Sequence, residues 1–181
     1  MYKGGFLMFI KHKEFLFSMA NCGIMTKDIA KDSYNIHHKT LNELIADNII
    51  TKKGNLLLYG KISTIYVLSE NTKNIIRKKA KYPYKTNISQ LEHDYLLLKF
   101  YSKLPFHIQS TWINETELKE ICGTSTTIDA MFILNNKKIG LEVLTSNYTK
   151  TMKKNKLEFG NIYCDKLITM NTSDIKANER T

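Results

Sequence analysis

The chain has 181 residues, 43% of them hydrophobic and 24% charged, with only 2 Pro, which is too apolar and too poor in breakers for a disordered polypeptide. The length suits two compact domains better than one small one. The net charge of +10 is unevenly spread: residues 1–85 carry 15 Lys and Arg against 6 Asp and Glu, whereas residues 86–181 carry 12 against 11. A basic half points to a polyanionic partner, because phosphate neutralisation supplies most non-specific affinity for nucleic acid.

In chain order, the first feature is the apolar run Phe6-Leu7-Met8-Phe9-Ile10. It is too short to span a bilayer and has no small-residue cleavage site, so it reads as a strand or arm packed on the body of a cytoplasmic protein with no membrane partner. Phe15, Leu16, Met19 and Ala20 recur at helical spacing, which predicts a helix over 12–22 ended by Gly23. Thr26 is placed to cap a short helix over 27–31, followed by a turn over 32–35. A third helix buries Leu41, Leu44 and Ile45 and stops near Asn48, a residue that tolerates left-handed backbone. Two strands follow, over 55–59 and 63–68, joined at Gly60-Lys61. Ser69 then opens a helix reaching about Lys81.

If Leu41, Leu44 and Ile45 face inward, His38, Lys39 and Asn42 face outward, with Tyr34 and Asn35 at the N-terminal end of that helix. Such side chains suit a major groove: Asn bonds adenine bidentately, and Lys reaches guanine or phosphate. Lys52, Lys53 and Lys61 fall on or near the strand pair, and Arg77, Lys78, Lys79 and Lys81 extend the basic surface. His37 and His38 diverge by about 100° on a helix and make no metal pair. Cys22, Cys122 and Cys164 form no CxxC pair and read as free thiols in a reducing compartment.

The order helix, helix, helix, hairpin, helix resembles a winged helix-turn-helix. Leu41–Ile50 is similar to the end of a recognition helix entering the first wing strand, with Asn48 where a Gly often stands, and Tyr66-Val-Leu-Ser-Glu70 is similar to the closing strand and the following helix.

Lys81-Tyr-Pro-Tyr-Lys-Thr-Asn87 breaks the helical pattern, since Pro83 biases Tyr82 away from helix. This places a domain over 1–81, a linker over 82–88 and a second domain over 89–181. Its alternating Lys and Tyr residues also suit a nucleic-acid backbone.

Beyond the linker, Ser89 caps a helix to about Lys103, ended by Pro105. Residues 106–112 read as a strand and 115–122 as a short helix or surface turn. Strands over 127–134 and 138–145 flank the turn Asn135-Asn136, a helix follows over 148–159, and a last strand runs over 164–170.

That α-β-β-β-α-β order, with Asp129 in Thr127-Ile-Asp-Ala and Glu142 in Gly140-Leu-Glu-Val-Leu144, resembles the PD-(D/E)xK nuclease superfamily. The resemblance implies that Asp129 and Glu142 hold Mg²⁺ in an active member, with Glu92 or Asp94 assisting from the first helix. The superfamily's Lys position is occupied by Leu144, with Lys150 on the next helix as the substitute. A domain without its Lys is expected to be catalytically silent and to need no cofactor.

The whole arrangement, including Leu91-Glu-His-Asp94, Ile128-Asp-Ala and Leu141-Glu-Val, resembles the replication-relaxation family of Gram-positive plasmids and mobile elements. The expected fold class is therefore α+β, a winged helix followed by a nuclease-like domain. The expected function is recognition of a specific double-stranded DNA site in replication, conjugative transfer or transcriptional control. A homodimer is the expected form, with replication or transfer proteins as partners. The alternatives are a Mg²⁺-dependent endonuclease or nickase using Asp129, Glu142, Lys150 and Glu92, and a non-DNA adaptor that reuses a winged helix.

Overall fold

A computed structural model describes residues 10–58, 60–79 and 81–173. The described residues form a mixed α and β structure with two sheets, and the chain divides into two compact units, 1–103 and 104–181. The expected N-terminal arm lies outside the described residues except for Ile10. No helix among the described residues is long and apolar enough to cross a membrane.

The first unit begins with α1 (Lys13–Cys22), which buries Phe15, Leu16, Met19, Ala20 and Cys22. Gly23 stops it at φ 83°, and a Cβ there would collide with Thr86 and Tyr84. Strand β1 (Met25–Thr26) leads into α2 (Lys27–Tyr34), where the Thr26 hydroxyl accepts from the Ile29 N–H at 3.3 Å. The helix runs three residues beyond the expected 27–31, and the turn shifts to Asn35, which is left-handed at φ 54°. The extension turns Tyr34 inward, its ring edge-on to Phe15 at 5.9 Å between centroids.

Helix α3 (His38–Ala46) buries Leu41 and Leu44, half-buries Ile45, and is followed by Asn48 at φ 53°. Strands β2 (Ile50–Leu58) and β3 (Lys61–Leu68) pair antiparallel, and β1 joins the far side of β3, giving the order β1-β3-β2. Strand β2 begins five residues before its expected start because Ile49 and Ile50 are buried and the Ile49 carbonyl accepts from the Ser69 N–H at 3.0 Å. Its ladder is interrupted by a bulge between Lys52 and Gly54. Ser69 caps α4 (Glu70–Arg77), accepting from the Thr72 N–H at 3.2 Å.

The segment expected as a linker is packed: Pro83 and Tyr84 are buried, and the Tyr84 N–H donates to the Ala20 carbonyl at 2.7 Å. After it, α5 (Leu91–Tyr101) lies against α1, with Asn21 Nδ2 donating to the Tyr101 hydroxyl at 2.9 Å. The division between compact units therefore falls after Lys103 rather than within 82–88. A helix that buries Leu96, Leu97, Leu98 and Tyr101 goes with the core that covers it.

The second unit begins at Leu104. Residues 106–109 form the short helix α6 (Phe106–Gln109) rather than a strand, since Pro105 fixes φ at −56° and its carbonyl accepts from Ile108 and Gln109. Trp112 is buried and stacked on Phe132 at 5.6 Å. Strand β4 (Ile113–Asn114) runs straight into α7 (Glu115–Cys122), where Asn114 and Glu117 form a reciprocal capping box. Strands β5 (Ala130–Leu134) and β6 (Lys137–Leu144) make an antiparallel hairpin through Asn135 and Asn136, at φ 51° and 60°. Thr149 caps α8 (Lys150–Tyr163), which returns the chain to β7 (Lys166–Asn171), parallel to β6. The sheet order is β4-β5-β6-β7. Gly160 lets α8 approach β7 closely, because a Cβ there would lie 2.8 Å from the Leu167 side chain. Leu118, Ile128 and Phe159 form a core cluster, with Met131, Cys164 and Leu167 packed on it.

Candidate functional site

The strongest chemical grouping in the second unit is assembled on the β5–β6 hairpin. Asp129 immediately precedes β5, and Glu142 is the sixth residue of β6. The Asp129 N–H donates to Glu142 Oε2 at 3.1 Å, and the Val143 N–H donates to Asp129 Oδ2 at 2.7 Å. Each carboxylate is thus fixed by the backbone of the other's strand. Their exposures are 1% and 0%, so neither is a solvated surface charge.

Lys156 reaches this pair from α8. Its Nζ lies 3.1 Å from Asp129 Oδ1 and 2.9 and 3.1 Å from Glu142 Oε1 and Oε2. Glu115 Oε1, on the first residue of α7, stands 3.6 Å from the same ammonium. The Tyr148 ring completes the surround, its centroid 5.2 Å from Nζ. Burial lowers the Lys156 pKa, but Asp129, Glu142 and Glu115 outweigh it and hold the pKa above its ordinary value. Lys156 is therefore an ammonium at neutral pH. Burial, and then the nearby Asp129 and Glu142 charges, push the Tyr148 phenol up as well. A buried group of this kind costs desolvation energy on every member, and such groupings concentrate at functional sites.

Asp129 and Glu142 are hard oxygen donors of the type Mg²⁺ uses when it binds through two carboxylates and substrate phosphate. Their chemistry fits that ion, with the Lys156 ammonium already bonded to the same oxygens. Among the described residues, no group of three or more His, Cys, Asp or Glu side chains is arranged to hold a metal.

The lysine expected here was Lys150. It instead lies exposed in the first turn of α8, and Lys156 makes the contacts. The third carboxylate is Glu115, whereas Glu92 and Asp94 lie on α5 in the first unit, where Asp94 is buried and bonded to His93 Nδ1 at 3.1 Å. Leu144 is buried at the end of β6. The missed signal was helical register: Lys156 stands three and four residues before the buried Phe159 and Gly160, a lysine on the apolar stripe of its helix.

The first unit offers a different surface. His38, Lys39 and Asn42 are exposed on α3, and the His38 ring and Asn42 amide are bonded at 3.3 Å. Asn35 is exposed and bonded to His37 at 2.9 Å, whereas the half-buried Tyr34 turns its ring edge-on to Phe15 and away from this surface. Lys52 and Lys53 are exposed at the β2 bulge, and Lys61 at the hairpin turn. Arg77 and Lys78 are exposed at the end of α4, Arg77 donating to Asn74 at 2.8 Å.

No protein-family model, curated protein or solved structure matches the chain.

Proposed function

We propose that the chain is a duplex-DNA-binding protein of the replication-relaxation type, reading a specific site with a winged helix in its first unit. The observation that carries the reading is a helix pair followed directly by a hairpin rich in lysine. Helices α2 and α3 are joined by a tight turn at Asn35, α3 turns His38, Lys39 and Asn42 to solvent, and the hairpin presents Lys52, Lys53 and Lys61. From Asn48 to Ser69 there is no Asp or Glu. Outward amide and lysine groups suit base edges and phosphates, and an acid-free hairpin suits the adjoining backbone. Replication, transfer and transcriptional control share this binding step, and a homodimer would match a palindromic site.

The test is recovery of sheared source DNA by the purified protein in EDTA, followed by sequencing. Enrichment of one site supports the reading, and the genes beside that site separate the three roles. Failure to retain any DNA at moderate salt contradicts it and favours a protein adaptor.

A second reading, metal-dependent DNA cleavage, is favoured by one observation: Lys156 converges with Asp129 and Glu142. In this reading Asp129 and Glu142 would hold Mg²⁺, which would supply stabilisation of charge on the phosphate. Lys156 would hold the two carboxylates in position. Cleavage of plasmid DNA with Mg²⁺ or Mn²⁺, lost in Asp129→Ala, supports it. Intact DNA across both metals and all sites recovered in EDTA contradicts it.

A further inference from the structure

The β2–β3 hairpin carries an apolar feature that phosphate contact does not explain. Its register sets Lys52 opposite Tyr66, Asn55 opposite Thr64 and Leu57 opposite Ile62. These pairs share one face of the ribbon, while Ser63 and Ile65 on the other face are buried. Leu57 and Ile62 are 55% and 76% exposed, side by side near the free end. Directly behind them, the Thr64 hydroxyl donates to the Asn55 amide oxygen at 3.2 Å and ties the strands together.

A large β-branched residue beside a leucine at a solvated hairpin end is costly in water and is an aggregation hazard unless something covers it. The charge around the pair says what. Lys52, Lys53 and Lys61 are exposed on the same hairpin with no acidic residue among them. The hairpin thus carries an apolar pair on the face that also holds Lys52, with Lys53 in the bulge and Lys61 on the opposite face at the turn. Duplex DNA offers the matching combination, a phosphate rim around an apolar base stack. Side chains of this type pushed between base steps unstack them and kink the helix by about 20–90°.

We propose that Leu57 and Ile62 form a wedge that enters the minor groove, parts a base step and bends the duplex, while the three lysines hold the flanking phosphates. This rests on the DNA-binding reading above. It assigns affinity and bending to different residues of one hairpin.

The test is energy transfer between the ends of a mixed-sequence duplex of about 20 bp, roughly 68 Å long at ~3.4 Å per base pair. It is run with the full chain in EDTA and low salt, alongside titration of binding. Wild type should raise the transfer. Leu57→Ser with Ile62→Ser, at a protein concentration that saturates the duplex in the titration, should leave transfer at the free-duplex level. Lys52, Lys53 and Lys61 changed together to Ala should lower the slope of log affinity against log salt by about 2.7. Unchanged bending in the serine variant, or wild-type binding without bending, overturns the wedge and leaves the DNA reading intact. No duplex binding by wild type overturns the DNA reading itself. Capture by anionic phosphatidylserine vesicles without duplex binding overturns both in favour of a membrane surface. A dimer in sedimentation that the serine variant abolishes overturns the wedge in favour of contact between copies. Thermal melting of both variants should match wild type, because every altered side chain is exposed.

Discussion

Asp129 and Glu142 are locked to each other through the sheet: the Asp129 N–H bonds Glu142 Oε2, and the N–H following Glu142 bonds Asp129 Oδ2. Lys156 spans the pair. This centre is buried, whereas Lys39, Asn42, Lys52, Lys53 and Lys61 of the first unit are exposed.

Removing the ammonium takes away the cation that bridges two buried carboxylates. Lys156→Met should therefore destabilise the protein by about 3–5 kcal/mol, the usual cost of breaking one side of a buried ion pair. Urea unfolding checks it. A loss below about 1 kcal/mol, typical of an exposed pair, would mean that the centre is solvated.

Lys156, Tyr34, Tyr101 and Tyr148 all hold their protons more tightly folded than unfolded. Burial is the leading cause for the tyrosines, and the carboxylates are the cause for Lys156. Stability from a raised pKa is complete below the unfolded value and declines as pH climbs toward the folded one. The melting temperature should fall steeply above about pH 10, where the unfolded groups titrate. Wild type should lose more there than Tyr148→Phe. Equal losses in the two proteins would remove Tyr148 from the account.

Lys39→Ala with Asn42→Ala should weaken specific DNA binding by about 10-fold or more, on the scale of 1–3 kcal/mol for one base contact, without moving the melting temperature. Tyr34 gives the contrast. Tyr34→Ala should destabilise the first unit by removing a half-buried ring packed on Phe15, whereas Tyr34→Phe should keep both fold and affinity. Electrophoretic mobility shift and calorimetry read the two effects. Lost affinity in a folded Tyr34→Phe would place its hydroxyl on the DNA.

Asn114 caps α7, and its neighbour Glu115 stands beside Lys156. Asn114→Ala should cost about 1 kcal/mol for the cap. In the cleavage reading it should also slow cleavage, since Glu115 loses its fixed helix start. A slower rate with unchanged stability would point to direct contact by Asn114 instead.

The elements legible in the sequence were those set by local chemistry. Thr26, Asn48, Ser69 and the Asn135-Asn136 turn each act through their own backbone or the next few residues, and the structure uses them as expected. What failed depended on partners distant in sequence. Residues 106–112 have strand composition, but Pro105 starts a helical turn and Trp112 is held by Phe132. The Pro83 break has the look of a boundary, yet Tyr84 is pinned to Ala20 across the first core. Asp129 and Glu142 stand out by motif, whereas Lys156 is passed over for Lys150, because only the register of α8 against the sheet tells which lysine turns inward.

The most direct measurement is the affinity of the purified chain for duplex DNA in EDTA as a function of salt. The account predicts tight binding at low salt that falls steeply and linearly in log affinity against log salt, with preference for one recovered site. Binding that is absent at low salt, or indifferent to salt, would contradict it.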